Sequence, residues 1–182
     1  MTISLTDDGP VVYRPYRLSF KEKEVVRDMV TELLDNGIVR PSTSSYASPI
    51  VLVRKKTGEY RLCIDYRALN KKTVKENYPM PLIDDQLDVL AGHQFYSTLD
   101  LASGYYQVPI RNEDVHKTAF VTPDGHFEFT RMPFGLANAP ATFQRIMNQV
   151  LGSARHREAL AYLDDVIIPA KDFPEGLNRL EN

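Results

Sequence analysis

Ala159-Leu160-Ala161-Tyr162-Leu163-Asp164-Asp165-Val166-Ile167-Ile168 is the stretch of sequence that decides the fold. Two short apolar runs flank adjacent aspartates, and this pattern predicts two antiparallel strands joined by a tight polar turn at Asp164-Asp165. Two carboxylates between apolar strands repel each other and are costly to desolvate unless cations lie near them. The pattern therefore indicates a metal site or an ordinary solvated turn, and spacing alone leaves both interpretations open.

A third aspartate ends another short apolar strand, Phe95 to Leu99. If that strand lies beside the hairpin, Asp100 meets Asp164 and Asp165 at one edge of a sheet. One divalent ion, or two ions about 3.5–4 Å apart, would offset the repulsion. Mg²⁺ suits such a site because it prefers hard oxygen ligands. Paired metals held by three carboxylates form a site for in-line phosphoryl or nucleotidyl transfer.

Helices and hairpins follow one another along the rest of the chain without βαβ repetition. Ser19 and Glu22 form a capping-box pattern that opens a helix, and Asn36-Gly37 ends it. This order predicts an α+β fold and argues against a doubly wound parallel sheet. We predict strands at 49–54, 59–66, 95–99, 118–121 and 126–130, helices at 82–90 and 139–151, another helix starting near Pro174, and an extended lead-in at 1–18.

Charge is distributed unevenly, although the whole chain carries only −2. Between Arg54 and Lys75, eight basic residues and two acids give a local charge of +6, which leaves −8 for the remainder. Phosphate binding requires such a positive zone, but a solvated charged hairpin has the same composition. The single cysteine excludes an internal disulfide and a Cys-rich zinc site, and it fits a reducing compartment. No apolar run is long enough to predict a membrane span.

Four motifs, in order along the chain, resemble those of reverse transcriptases. The tetrapeptide Tyr162–Asp165 resembles the signature of a tyrosine, a variable apolar residue and two aspartates. The tetrapeptide Pro133-Phe134-Gly135-Leu136 is similar to the corresponding motif of gypsy-class long-terminal-repeat retrotransposons rather than to that of retroviruses. The resemblance covers roughly residues 13–180, with motifs at Arg61–Asn70, Ser97–Gln107, Arg131–Gln144 and Tyr162–Asp165.

The resemblance implies the fingers and palm of a right-hand polymerase, with an antiparallel palm sheet packed on helices and no thumb. It implies a lead-in at 1–18, mainly fingers at 19–92 and mainly palm at 93–182, with part of 118–140 returning to the fingers. Without the thumb and RNase H region of a polyprotein, we expect a weak grip on primer-template and little polymerase activity from the chain alone. The same resemblance implies an intracellular, cytoplasmic location, within retrotransposon particles if the parent element is active, and no membrane partner.

The implied activity is RNA-directed and DNA-directed DNA synthesis from deoxynucleotides on a primed RNA or DNA template, with two Mg²⁺ ions or Mn²⁺ as a substitute. Asp100 and Asp164 would bridge the ions, Asp165 would complete the catalytic triad, and the Leu101 carbonyl would touch the ion that carries the triphosphate. The implied nucleotide-binding residues are Lys55, Lys56, Arg61, Ser103, Gly104, Tyr105 and Phe134, and the implied template or primer contacts are Arg67, Asn70, Gln144, Tyr162 and Leu163.

Several of these roles have alternatives. Arg61 suits a triphosphate because its guanidinium binds phosphate bidentately, but it is also compatible with a cross-strand surface charge. A Tyr105 ring against the sugar would exclude a 2′-hydroxyl, and a packed core tyrosine is the alternative. Gln144 is compatible with a polar helix exterior. For the whole chain, the competing functions are an RNA-dependent RNA polymerase palm and a non-catalytic remnant that at most binds nucleic acid.

Overall fold

A computed structural model describes residues 1–155 and 158–181. The chain divides into two compact units, the first formed by Met1–Lys75 and Tyr105–Ala139 and the second by Glu76–Gly104 and Pro140–Asn182. Each unit therefore consists of two separate stretches of sequence. Residues 76–92 belong to the second unit and residues 105–117 to the first, and the names fingers and palm for these units stay a prediction.

The described residues form helices and mostly antiparallel strands, so the predicted α+β fold is confirmed. In this part of the chain, no helix combines the length and apolar character needed to cross a membrane. The helices are α1 (Phe20–Asp35), α2 (Arg67–Lys72), α3 (Ile83–Leu90), α4 (Ala139–Leu151) and α5 (Phe173–Glu181). The strands are β1 (Val39–Pro41), β2 (Ser48–Arg54), β3 (Tyr60–Ile64), β4 (Phe95–Asp100), β5 (Phe120–Thr122), β6 (Gly125–Phe129), β7 (Leu160–Tyr162) and β8 (Asp165–Ala170).

The first unit is built on a five-stranded sheet in the order β1-β6-β5-β2-β3. All neighbours are antiparallel except β2 and β5, which pair in parallel from Ser48 opposite Phe120. Tyr66 is buried beside this sheet and donates its hydroxyl to the Thr118 carbonyl at 2.8 Å. The predicted hairpin of β2 and β3 is confirmed, with Ile50 opposite Ile64.

Helix α1 begins where its capping box predicts. The Glu22 N–H donates to the Ser19 Oγ at 3.3 Å, and the Ser19 N–H donates to the Glu22 carboxylate at 2.7 Å. These two bonds satisfy groups that a helix start leaves without partners. Val26 and Val30 form the buried stripe of the helix.

The lead-in of residues 1–18 is tied to the first unit. Leu5 forms an antiparallel bridge with Thr73, and Val12 forms a parallel bridge with Ala47. The Ile3 side chain is buried, and its N–H donates to the Asp114 carboxylate at 3.0 Å. The segment is extended as predicted, and these bonds fix its path.

The second unit contains a three-stranded antiparallel sheet in the order β4-β8-β7. Strands β7 and β8 form the predicted hairpin, but the turn is placed one residue earlier than predicted. Tyr162 pairs with Asp165, so Leu163 and Asp164 are the central turn residues and Asp165 begins β8. Adjacent aspartates are more typical of turns than a Leu-Asp pair, so the sequence pattern placed the turn one residue too late.

Candidate active site

The three predicted acids lie at one end of the sheet in the second unit. Strand β4 ends at Asp100, which is directly opposite Asp165, the first residue of β8. The Leu101 N–H donates to the Asp164 carbonyl at 3.1 Å and ties the end of β4 to the hairpin turn. Strand pairing thus brings three acids from two distant stretches of sequence to one place.

The surroundings of Asp164 shift the pKa of its carboxyl. Partial burial raises the pKa of its carboxyl above the ordinary value of 3.8, and the negative charges of Asp100 and Asp165 raise it further. Its Oδ1 atom is buried and has no hydrogen-bond partner among the described residues. No positive charge from a described residue offsets these effects on the Asp164 carboxylate.

The donor set fits a hard divalent cation. A buried carboxylate oxygen without a donor, next to two further carboxylates, is the arrangement that such a cation stabilises. Within the described residues, however, no group of three or more His, Cys, Asp or Glu side chains is already assembled around a point where an ion could sit. The backbone therefore brings the acids together, and closing their side chains around an ion would require rotamer changes.

The hairpin turn between the acids has an uncommon backbone conformation. Leu163 has a φ of 54°, in the left-handed region, while Asp164 has no positive φ. A positive φ at the first central residue only is the pattern of a type II′ hairpin turn, which normally has glycine there. A leucine in this conformation is strained and requires support from its surroundings.

Gln144 on α4 provides that support. Its side chain is fully buried, its Oε1 accepts the Leu163 N–H at 3.0 Å, and its Nε2 donates to the Ala161 carbonyl at 3.0 Å. The helix-exterior alternative for Gln144 is wrong, because its side chain is buried inside the second unit, and the template contact stays a prediction. The signal that was missed is its position on the inward face of a helix with an apolar stripe.

Gly104 lies against Asp164 and Phe143 in the second unit. A Cβ at this position would lie 2.8 Å from the Phe143 ring, 3.3 Å from Asp164 Oδ1 and 3.3 Å from the Leu101 Cβ. The predicted nucleotide-binding role of Gly104 is untested, but the close packing alone requires a residue without a side chain. Ser103, just before it, is exposed and has a φ of 52°.

The Leu101 carbonyl, predicted to touch a metal ion, already has one partner. It accepts the Gly104 N–H at 3.0 Å. A carbonyl oxygen has two lone pairs, so one remains for a further partner.

The predicted triphosphate-binding residues lie on the β2–β3 hairpin of the first unit. Arg61 is exposed and opposite Val53, and it makes no ion pair with a described residue. Lys55 pairs with Glu59 at 3.0 Å across the turn, while Lys56 is exposed. Arg61 and Lys56 therefore remain available to an anion, and Lys55 would have to leave Glu59.

Phe134 in the first unit packs between two tyrosines. The Tyr105 ring is 6% exposed and stacks on Phe134, with ring centroids 4.7 Å apart and planes 17° apart. The Tyr106 ring meets Phe134 edge to face at 5.8 Å. Phe134 itself is 49% exposed, so its ring forms the outer surface of this stack.

Two residues predicted to contact template or primer have partners within the first unit. Asn70 donates its Nδ2 to the Gly135 carbonyl at 2.7 Å and accepts the Ala137 N–H at 2.8 Å. These bonds use both ends of its amide to hold the loop after Phe134. Arg67 is exposed and forms a fork-shaped pair with Asp65, with contacts of 2.8 and 2.6 Å. That pair lowers the pKa of the Asp65 carboxyl.

Comparison with known families decides what this assembly belongs to. The family described as reverse transcriptase (RNA-dependent DNA polymerase) matches residues 53–181, well over half of the chain. The chain belongs to the reverse transcriptase family. All three acids and the hairpin turn lie within the matched range.

The reverse transcriptase domain has relatives among retrotransposon polyproteins. It is 41% identical over 184 residues to the retrovirus-related Pol polyprotein from transposon 297 of Drosophila melanogaster, covering 98% of this chain and 17% of that protein. It is 42% identical to the corresponding gypsy polyprotein of the same species, covering 99% of this chain and 18% of that protein. The chain therefore spans less than a fifth of these relatives, and the predicted gypsy-class resemblance is confirmed.

Solved reverse transcriptases share the fold. A foamy viral protease-reverse transcriptase in complex with an RNA/DNA hybrid superposes with a TM-score of 0.88 and 28% identity, covering 98% of this chain and 24% of that one. A form of the foamy viral enzyme in complex with double-stranded DNA superposes with a TM-score of 0.83 and 27% identity, covering 99% of this chain and 31% of that one. The predicted fingers-and-palm type of fold is therefore confirmed for the reverse transcriptase domain.

Proposed function

We propose that this reverse transcriptase domain adds deoxynucleotides to the 3′-hydroxyl of a primer on an RNA or DNA template, using two Mg²⁺ ions, with Mn²⁺ as a substitute. The observation that carries the proposal is the pairing of Asp100 with Asp165 beside the buried, unpartnered Asp164 Oδ1. A site of this kind is unfavourable for the apo protein and favourable once cations bind. The family relationship adds the reaction type.

Asp100, Asp164 and Asp165 are the residues that would hold the ions, with the free lone pair of the Leu101 carbonyl as an additional ligand. Bound magnesium would lower the pKa of the primer hydroxyl and neutralise charge on the leaving pyrophosphate. The contribution of the protein is to fix the carboxylates before the reaction. The β4–β8 pairing and the Gln144 support of Leu163 do this through the backbone.

The first unit would bind the triphosphate of the incoming nucleotide through Arg61 and Lys56, with Lys55 joining after it leaves Glu59. Arginine suits this role because its planar fork donates two parallel hydrogen bonds to a phosphate. Both Arg61 and Lys56 are exposed, and neither makes an ion pair with a described residue. Their positive charge is therefore available to a polyanion.

The sugar and base of the nucleotide would be bound by Ser103, Gly104, Tyr105 and Phe134. The exposed face of Phe134 is an apolar surface, and Tyr105 lies directly behind it. We propose that the packed tyrosine ring leaves no room for a ribose 2′-hydroxyl. Phe134 has no polar atom, so it would act by packing alone.

The partner would be a primed RNA or DNA template. Tyr162, 37% exposed, and Leu163 lie beside the acids in sequence and would face the primer terminus. The foamy viral enzyme that shares this fold was solved with an RNA/DNA hybrid and, in other crystals, with double-stranded DNA. That observation supports the proposal that this domain binds the same two kinds of duplex.

Single-nucleotide incorporation at high protein concentration tests the proposal, because one addition does not require a processive grip. A labelled primer on an RNA template is mixed with the chain, Mg²⁺ and one deoxynucleotide, and extension by one residue is expected. The double variant Asp164→Asn with Asp165→Asn should give none, while Asp28→Asn, an exposed acid in α1, should match the parent. In parallel, thermal melting with Mg²⁺ should show stabilisation of the parent and not of the double variant.

The two measurements separate the parts of the proposal. Equal extension by the parent and the double variant would show that the assigned acids are not the catalytic site. Magnesium-dependent stabilisation without extension would establish the metal site and refute catalysis by this chain. Equal stabilisation of the parent and the double variant would refute the metal site itself.

A further inference from the structure

Tyr78 and Asn148 of the second unit form a polar pair next to the residue that supports the turn of the acids. The Asn148 Nδ2 donates to the Tyr78 hydroxyl at 2.7 Å, and the Asn148 Oδ1 accepts the Gln144 Nε2 at 3.2 Å. Gln144 and Asn148 are four residues apart on α4, so their side chains share one face of the helix. Tyr78 and Asn148 are both half-buried. The pair therefore continues inward to the amide that holds Leu163.

Backbone groups fix the orientation of the Gln144 amide. Its Oε1 must face the Leu163 N–H, which can only donate, and its Nε2 must face the Ala161 carbonyl, which can only accept. The second Nε2 hydrogen is left for Asn148, which must then present its Oδ1 to Gln144. The Asn148 Nδ2 consequently faces Tyr78. An inverted Asn148 amide would place a donor against a donor.

Three hydrogen bonds run in one direction from the turn to Tyr78. Leu163 donates to Gln144, which donates to Asn148. Asn148 then donates to the Tyr78 hydroxyl. These four residues are called the Gln144 network below. Hydrogen bonds arranged head to tail polarise and strengthen one another, so the terminal acceptor on Tyr78 influences the bond at Leu163.

Leu163 is the part of the hairpin that needs this support most. Its φ of 54° is in the left-handed region, and it immediately precedes Asp164, whose Oδ1 is buried. The Ala161 carbonyl has a second donor in the Gln86 Nε2 at 3.4 Å, whereas the acceptor of the Leu163 N–H is the Gln144 Oε1. Loss of order in the Gln144 amide should therefore affect Leu163 and the acid that follows it.

A second contact joins the same two segments without taking part in the network. Arg145, next to Gln144 on α4, pairs at 2.8 Å with Glu76, two residues before Tyr78. This ion pair anchors the segment of Tyr78 to α4, as the Tyr78 hydroxyl bond also does. It involves no atom of the Gln144 amide. The two contacts therefore allow anchoring to be separated from positioning.

We propose that Tyr78 and Asn148 are positioning residues of the candidate active site, which hold the turn of the acids in place through Gln144. Their effect on nucleotide addition rests on the proposed function, whereas their effect on the turn can be measured without catalysis. Tyr162-Leu163 is the only Tyr-Leu pair in the sequence. Labelling with carbonyl-¹³C tyrosine and ¹⁵N leucine therefore selects the Leu163 amide in a carbonyl-filtered NMR spectrum, and its hydrogen exchange reports local opening of the turn.

The variant Tyr78→Phe removes the terminal acceptor and keeps the ring. Hydrogen exchange at Leu163 is expected to accelerate about fivefold, the effect of one neutral hydrogen bond. Asn148→Leu should accelerate the exchange at least as much, and adding Tyr78→Phe to it should have no further effect because the network is already broken. Arg145→Met should leave the exchange unchanged, although it removes the neighbouring anchor.

Nucleotide incorporation at saturating Mg²⁺ should rank the variants in the same order. The kcat of Tyr78→Phe should fall about fivefold, while the KM for the deoxynucleotide stays the same, because the proposed triphosphate-binding residues belong to the first unit. Arg145→Met should keep both constants of the parent. Loss of a purely structural contact would not separate these two variants.

Unchanged exchange at Leu163 in Tyr78→Phe would overturn the inference, as would equal acceleration in Arg145→Met. Additive effects of Tyr78→Phe and Asn148→Leu would show that the two residues do not act through one network. Faster exchange with an unchanged kcat would refute a role in the reaction. If the parent incorporates no nucleotide, the proposed function fails, and exchange at Leu163 alone decides whether the pair holds the turn.

Discussion

Asp100 and Asp165 occupy opposing positions in the antiparallel pairing of β4 and β8. Asp164 follows in the adjoining turn and experiences the negative charge of both. Without a cation, this arrangement stores electrostatic repulsion in the folded state. The metal-free domain should therefore be less stable than it would be without this repulsion.

Replacement of Asp164 by asparagine should stabilise the metal-free domain at neutral pH. The folded-state pKa of Asp164 is raised above 3.8, so the unfolded chain ionises more readily than the folded one, and stability falls as the pH rises through the folded-state pKa. Below pH 3.8 both states are protonated, and the advantage of the variant should disappear. Thermal melts in a chelator across this pH range measure the difference. The same advantage in the Asp28→Asn control would mean that total charge, not this site, is responsible.

Gln144→Leu should destabilise the second unit and misplace the acids. Leucine fits a buried helix position, but it leaves the Leu163 N–H without its partner, at a cost of about 1–3 kcal/mol for an unsatisfied buried group. It also leaves the Ala161 carbonyl with only the long hydrogen bond from the Gln86 Nε2 at 3.4 Å. Chemical denaturation measures the free energy of unfolding, and nucleotide incorporation measures the rate. Gln149→Leu, on the exposed face of the same helix, should change stability by less than about 0.5 kcal/mol. Similar losses in the two variants would argue against specific support of the turn.

Gly104→Ala should damage the site, although the substitution adds one carbon atom. The new Cβ would lie 2.8 Å from the buried Phe143 ring and 3.3 Å from Asp164 Oδ1, and relieving this overlap should cost about 1–3 kcal/mol. Gly176→Ala is a matched control, because its Cβ would meet Ala170 at an ordinary 3.5 Å inside α5. That control should gain about 0.5–1 kcal/mol from helix propensity. Unfolding curves and magnesium titrations of both variants give the comparison, and a neutral Gly104→Ala would contradict it.

Tyr105→Val should relax the sugar selectivity of nucleotide incorporation. Loss of the ring that stacks on Phe134 opens space behind its exposed face, and we expect the preference for deoxynucleotides over ribonucleotides to fall by at least about tenfold. Tyr105→Phe keeps the ring and should keep the preference. Parallel incorporation assays with the two kinds of nucleotide measure the ratio. If the valine and phenylalanine variants select alike, the ring does not exclude the 2′-hydroxyl.

Local patterns in the sequence predicted much of the fold. The capping box of Ser19 and Glu22, the β2–β3 hairpin and the alternation around β7 and β8 each depend on neighbouring residues. Strand β1 was not predicted because three residues are too short to show a period. The parallel pairing of β2 with β5 was not predicted because it joins segments distant in sequence.

The candidate site also contains some features that local sequence predicts and others that it does not. The meeting of the three acids at one end of a sheet could be predicted because strand ends are local features, and their catalytic role stays a prediction. The roles of Gln144 and Asn70 could not, because an amide on a helix looks the same in sequence whether it faces solvent or bonds a distant backbone. The strain at Leu163 was missed because leucine gives no local signal of a positive φ.

The two units alternate along the chain, and this has a consequence for synthesis on the ribosome. The first unit cannot complete its sheet until β5 and β6 have left the exit tunnel, long after β2 and β3. Strand β4 emerges in between and must wait for β8. Neither unit is a continuous gene segment, so a single recombination break placed between Lys75 and Ala139 would separate partners of at least one sheet.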